Sequence, residues 1–307
     1  MTCKSRIVTL AAAGLLLSAC ENAGPTSPDV KPNYNRAEPE YEFESIHLDG
    51  ATLTNPQGIN AEGHVVGAYV RGGVTRGFVL KDGVVETIVV DGAGFTFARG
   101  IGPDGTIVGN WRPAGVTNPV VSFGFKRSPD GAITTVGFTG KTHVIPQRVL
   151  ADGTVLGCAH DNDLMDSMIG VTMNTSADQA VDVFASMHNG GTPNGRQIIG
   201  LYTNMDAGNR GEGYLISDGQ FEPLVVPNSR FTAAWDMNAR GDVVGVYQSA
   251  DNVFHGFVLT EAGYTTLDFP ALGVTATRAF GINARGDVVG HYVQGGVTRG
   301  FLARRVR

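Results

Sequence analysis

One short phrase recurs six times between Gly58 and Arg307, and its last copy stops before it is complete. The clearest copies are Gly281-Ile-Asn-Ala-Arg-Gly-Asp-Val-Val-Gly-His-Tyr292 and Asp236-Met-Asn-Ala-Arg-Gly-Asp-Val-Val-Gly-Val-Tyr247, with Gly58-Ile-Asn-Ala-Glu-Gly-His-Val-Val-Gly-Ala-Tyr69 close behind. With Gly67, Gly109, Gly157, Gly200, Gly245 and Gly290 taken as equivalent, the spacings are 42, 48, 43, 45 and 45 residues. A period of about 40–50 residues built from β-type segments is a propeller signature. Short runs rich in Val, Ile, Phe, Tyr and Thr alternate with Asn-x-x-Gly, Asp-Gly and Pro-Asp-Gly turns, and no run holds helical spacing for ten residues. In the fifth unit the strands read as 234–237, 242–247, 256–259 and 264–269, with the turn at Asn238-Ala-Arg-Gly241. The expected fold is all-β, a six-bladed β-propeller of four-stranded antiparallel blades.

The sixth unit lacks a fourth strand. Glu42-Phe-Glu-Ser-Ile-His-Leu48 aligns with Tyr264-Thr-Thr-Leu-Asp-Phe269 and predicts an N-terminal strand that completes the last blade and pairs two open edges. The glycine inside each second strand is expected to let neighbouring blades approach.

Residues 1–19 read as a signal peptide. Lys4 and Arg6 precede a stretch from Ile7 to Leu17 that is too short to span a bilayer. The ending Leu17-Ser-Ala-Cys20 resembles the lipobox of bacterial lipoproteins. The resemblance implies that Cys20 becomes the acylated first residue of the mature chain. Glu21, where an inner-membrane retention signal would have Asp, favours the outer membrane. Residues 20–40 carry four prolines and little to bury, so they read as a disordered tether, and residues 41–307 as the propeller. Loss of Lys4 and Arg6 with the signal leaves 21 basic against 29 acidic residues. That balance argues against nucleic acid as a partner. Only Cys158 then remains as a free thiol, so no intramolecular disulfide is expected.

The Gly-Ile-Asn-x-x-Gly-x-Val-Val-Gly phrase followed by a Gly-Phe strand resembles the HAF repeat of extracellular bacterial proteins, named for a His-Ala-Phe signature. Here His255-Gly-Phe257, Arg76-Gly-Phe78, Arg299-Gly-Phe301 and Phe123-Gly-Phe125 carry Gly for the central Ala. The resemblance covers most of residues 58–303 and implies an exported β-repeat protein, with no catalytic residues attached.

Gly137-Phe-Thr-Gly-Lys-Thr142 lacks the first glycine and the following helix of a phosphate loop, and reads as an inter-strand turn. Arg240-Gly-Asp242 and Arg285-Gly-Asp287 fall in the repeat's own hairpin. Asp161, Asp163 and Asp166 put three carboxylates in one loop, a weak calcium candidate beside the reading of a solvated acidic loop. Otherwise no cofactor is implied. First strands entering a central channel would carry Gln57, Arg99, Gln147, Arg148, Trp235, Asp236 and Arg278. Arginines from three units could clamp a carboxylate, sulfate or phosphate. Arg148 is out of phase with Arg99 and Arg278 unless a bulge intervenes. Asp236 is the one acid of the set, whereas glycoside hydrolysis normally needs two.

Together these features suggest a lipid-anchored cell-envelope protein with a non-catalytic binding or scaffolding propeller. Its partner would be an envelope protein, a glycan or an anionic small molecule. The alternative is an extracytoplasmic hydrolase or lyase acting on a glycan or peptide at the channel mouth.

Overall fold

The computed structural model describes residues 38–162 and 167–306. Cys20, the signal, most of the tether, Asp163 and Asp166 lie outside the described residues. Among those described there are 24 β-strands and no α-helix.

The strands fall into consecutive antiparallel groups that follow the repeat. The first unit comprises Leu53–Ile59, Val65–Arg71, Val74–Lys81 and Val84–Ile88. The second comprises Ala93–Ile101, Ile107–Pro113, Phe123–Arg127 and Ile133–Val136. His143–Val149, Val155–His160, Ile169–Met173 and Gln179–Ala180 form the third. Met187–Gly191, Gln197–Asn204, Arg210–Ser217 and Gln220–Leu224 form the fourth. The fifth is Phe231–Met237, Val243–Gln248, Phe254–Thr260 and Gly263–Leu267. The sixth supplies Val274–Ile282, Val288–Gln294 and Val297–Arg305. Against that last strand lies the N-terminal strand Tyr41–Ile46, antiparallel, from Tyr41↔Arg305 to Ile46↔Gly300.

The groups are not all separate sheets. Single parallel bridges at Leu53↔Thr298 and Thr75↔Phe95 merge part of the array into a 12-stranded mixed sheet, and no sheet closes on itself. The apolar core lies between adjacent units. Val66, Val79 and Ile88 of the first meet Ala98, Ile107 and Phe125 of the second, and Val244, Val258 and Leu267 of the fifth meet Ala279, Val288 and Phe301 of the sixth.

Two sets of glycines have distinct duties. Turn glycines Gly63, Gly105, Gly153, Gly195, Gly241 and Gly286 all have φ between 69° and 92°, where a side chain would be strained. Each leads into the second strand of its unit. The second-strand glycines do not serve contacts between units as the sequence suggested. A Cβ at Gly67 would fall 2.3 Å from Asn55 O and 2.8 Å from the Phe78 ring, and one at Gly245 would fall 2.2 Å from Ala233 O and 2.5 Å from the Phe257 ring. They make room within their own unit for a bulged first strand and the aromatic of the Gly-Phe strand. Contacts between units fall to other glycines. A Cβ at Gly300 of the sixth unit would lie 2.6 Å from the Pro56 ring of the first.

Burial of neutral histidines gives the fold an acid limit. Tyr214 Oη donates to Met187 O (2.9 Å), so the His188 Nδ1 beside that hydroxyl carries the proton of a neutral ring. Burial pushes the His188 pKa down to about 4, and burial together with Arg278 pushes that of His291 down to about 3. Both folded values lie below the unfolded one, so their contribution is full above about pH 6.5 and is lost as the pH falls toward 4. Each ring should cost about 3 kcal/mol by pH 4. Urea unfolding at pH 7 and at stepwise lower pH measures this, and the His188→Asn, His291→Asn double variant should show a flatter profile.

Candidate functional site

Every first strand carries a bulge at one repeat position. The register slips at Gln57, Arg99, Gln147, Asn189, Trp235 and Phe280, the extra residue in each case. The residue after the bulge turns inward. It is glycine in four units, and a Cβ there would collide with the next first strand: 2.5 Å from Gln147 O at Gly100, 2.8 Å from Asp236 Cα at Gly190, 2.9 Å from Gln57 O at Gly281 and 3.0 Å from Arg99 O at Gly58. The two exceptions are Arg148 and Asp236, which carry opposite charges.

Those two meet where the first strands converge. Arg148 Nη1 donates to Arg99 O (2.9 Å) and Gln147 O (2.8 Å), and Nη2 donates to Gln57 O (2.9 Å) and Phe280 O. Its Nε faces Asp236 Oδ2 at 3.1 Å. Asp236 also accepts from Met237 N (3.0 Å) and Ile282 N (3.1 Å). One guanidinium thus ties bulge carbonyls of four units to a carboxylate of a fifth, with both Nη groups spent on carbonyls and Nε turned toward Asp236. Both residues are buried, at 6% and 7% exposure. Burial raises the Asp236 pKa, opposed by Arg148 and the two amides. The bulge foreseen as the condition for bringing Arg148 into line is present, yet it turns that side chain onto the carbonyls of other first strands.

Hollows lie on either side of this pair. The smaller, about 130 Å³, is bordered by Arg148, Asp236 and turn residues such as Asn60 and Asn283. The larger, about 430 Å³, collects Gln57, Arg99, Trp235 and Arg278. Four of the seven anticipated residues therefore share one mouth. Gln147 is withdrawn beneath it, donating to Met187 Sδ (3.0 Å) and accepting from Arg99 Nη1 (3.4 Å). Arg99 also donates from Nε to Asn110 Oδ1 (2.7 Å) and lies over Phe97, 4.6 Å from its centroid. Burial lowers its pKa to about 10, so it remains a cation at neutral pH. Arg278 lies 4.2 Å over Phe254.

Asn55, Phe97, Phe254, Phe280 and His291 border the same mouth and were not anticipated. Strand alternation carried the signal for His291. It follows the landmark Gly290 just as Val246 follows Gly245, and both line the mouth. Among the described residues no group of three or more His, Cys, Asp and Glu side chains could hold a metal. Of the calcium candidates, Asp161 takes Lys141 Nζ at 3.1 Å and Thr142 N at 3.3 Å, which also commits the lysine of the phosphate-loop look-alike. The Lys141 hydrogen bond, foremost, holds the Asp161 carboxyl below its usual range. Both Arg-Gly-Asp tripeptides close on themselves, Arg240 on Asp242 and Arg285 on Asp287, and each arginine also reaches a carbonyl of the following turn, Ala284 and Ala61.

Comparison with protein families found no match, and none was found among curated sequences. Solved structures do match. A putative TolB from Agrobacterium tumefaciens superposes with a TM-score of 0.54 at 13% identity, over 88% of this chain and 100% of that one. TolB from Acinetobacter baumannii gives 0.53 at 14% identity, over 78% of this chain but 63% of that chain's length. The β-propeller domain of the Trilobed protease from Pyrococcus furiosus gives 0.51 at 8% identity, over 84% and 94%. At such identities the likeness shows the fold alone. The chain is an all-β protein of the β-propeller class, with a polar and aromatic mouth lined by first-strand residues of four units.

Proposed function

We propose that this protein is a lipid-anchored cell-envelope component whose propeller binds a ligand without chemically transforming it. The observation that carries the reading is the fate of Asp236, the one axial acid, which is spent in a buried pair with Arg148. The mouth beside it is lined by amides, arginines, a neutral histidine and aromatics. Such a set can hold and orient, but it offers no general acid of suitable pKa.

The architecture we propose is six blades in a closed ring, with the N-terminal strand completing the last. Support comes from three contacts between the sixth and first units: Gly281 against Gln57, Gly300 against Pro56, and Arg285 donating to Ala61 O. The lipobox-like Leu17-Ser-Ala-Cys20 supports acylation at Cys20, the tether supports a body held off the bilayer, and the repeat supports kinship with HAF-type exported proteins. Placement at the outer membrane rests on Glu21.

Two experiments test the reading. Labelled palmitate fed to producing cells should enter the wild-type chain and fail to enter Cys20→Ser, which should be released from membranes. Purified protein incubated with envelope polysaccharides and peptides should generate no new reducing ends or amines. Robust turnover abolished by Asp236→Asn would establish the hydrolase or lyase reading instead.

A further inference from the structure

The geometry points to an acidic saccharide, a sugar bearing a carboxylate, as the ligand of the mouth that Arg99 and Arg278 border. The inference deepens the binding reading above and rests on it.

The first argument is charge. The chain carries a formal net charge of −6, yet among the described residues no Asp or Glu lines the mouth. Arg99 is bonded to neutral amides of Asn110 and Gln147, and Arg278 contacts the Phe254 face and has no carboxylate partner among the described residues. Two half-buried guanidiniums held on aromatic faces without counter-ions can still accept an anion, and partial desolvation strengthens that bond.

The second argument separates a sugar from a bare anion. Gln57 Nε2 and His291 Nδ1 both donate to Asn55 Oδ1, each at 2.9 Å. This fixes the His291 tautomer, and burial keeps the ring neutral. Two acceptors, Gln57 Oε1 and His291 Nε2, are thereby left facing the mouth, beside the Asn55 amide donors. Sulfate, fully deprotonated, has no use for acceptors, whereas sugar hydroxyls donate to them and accept from the amide. The third argument is shape. Half-exposed Trp235, set edge-to-face against Phe280 at 5.1 Å, offers a flat apolar surface to the C–H face of a pyranose ring. A cavity of about 430 Å³ suits a short saccharide.

The test uses the full-length protein in mild detergent with digalacturonate, neutral digalactose and sodium sulfate. Binding is read by calorimetry and by Trp235 fluorescence in a Trp111→Phe background, since the chain has 2 tryptophans. Digalacturonate should bind saturably and quench Trp235, with digalactose at least about thirtyfold weaker and sulfate giving no quench. Arg99→Gln and Arg278→Gln should each weaken digalacturonate about tenfold to a hundredfold. The Arg278 side chain makes no hydrogen bond among the described residues, so its Gln variant should keep the wild-type melting profile. Equal affinity for digalactose, full competition by sulfate at equal affinity, or unchanged binding in Arg278→Gln overturns the inference. Absence of binding by all three probes overturns it too, with the non-catalytic reading judged separately by the turnover assay. Cleavage of bound digalacturonate upholds the ligand class and overturns the non-catalytic reading.

Discussion

Arg148→Met should be the most damaging single substitution in this protein, lowering stability by about 3–5 kcal/mol and the melting temperature by roughly 10 °C or more. The size follows from what the side chain leaves behind. Methionine fills much of the volume, so lost packing is a minor part of the cost. What remains is a buried Asp236 carboxylate without its counter-charge and four carbonyls, of Gln57, Arg99, Gln147 and Phe280, without donors. Removing one partner of a buried pair exposes the full desolvation penalty of the other, which is why such losses exceed the net worth of the pair. Arg148→Lys should recover only part of the loss. An ammonium keeps the charge but lacks the planar fork that reaches four carbonyls and a carboxylate at once. Adding Asp236→Asn to Arg148→Met should restore stability relative to the single variant, because it removes the stranded charge, giving a favourable coupling in a double-mutant cycle. Urea unfolding of the four proteins measures the cycle. A single variant within 1 kcal/mol of wild type would mean that water, and not this pair, satisfies the axis.

The same pair marks where the amino-acid sequence was legible and where it was not. The strand content, the turn glycines and the N-terminal strand could be read because each depends on local chemistry: alternation of apolar residues, an Asn-x-x-Gly turn that demands positive φ, or an incomplete last unit. The observed pairing from Tyr41↔Arg305 to Ile46↔Gly300 starts one residue before the segment identified by alignment and ends two before it. The axial arrangement could not be read in this way. A bulge has no fixed side-chain signature, and the bulged residues here are Gln, Arg, Gln, Asn, Trp and Phe. One inserted residue reverses which face every later side chain meets, so the spacing of Arg148 and Arg99 does not reveal that one binds the carbonyls of neighbouring first strands and the other borders the mouth. A trace was nevertheless present: where Gly58, Gly100, Gly190 and Gly281 stand, Arg148 and Asp236 stand instead, one of each sign. The second-strand glycines misled for a related reason. Spacing shows that a glycine is needed, but whether its missing Cβ makes room for its own unit's aromatic or for a neighbour's backbone is a tertiary matter.

Removal of the N-terminal strand should be as damaging as loss of Arg148, by a different physical route. A chain beginning after Leu48 would leave the strand Val297–Arg305 with an unpaired edge along the register that Tyr41–Ile46 now occupies. It would also uncover apolar surface. Ile46 and Leu48 are each 7% exposed, and the Phe43 ring packs 5.7 Å from Phe301 and 5.6 Å from Phe269. An edge that is both hydrogen-bond-hungry and apolar invites pairing with another chain. The truncated protein should therefore recover from refolding mainly as aggregate, and size-exclusion chromatography should show little monomer. Removing residues 1–37 alone should leave the melting temperature unchanged, because residues 20–37 carry little that a core could bury. A synthetic peptide spanning residues 38–50, added during refolding, should restore monomer by inserting as the missing strand, with main-chain bonds supplying affinity and Phe43 and Ile46 supplying register. A peptide with Phe43→Asp and Ile46→Asp should fail, since its backbone could pair but neither of its two apolar faces, Phe43 toward Phe301 and Ile46 toward Leu302, could be buried. If the truncated chain instead folds as a stable monomer without peptide, the last unit is self-sufficient with three strands and the ring needs no N-terminal segment to complete it.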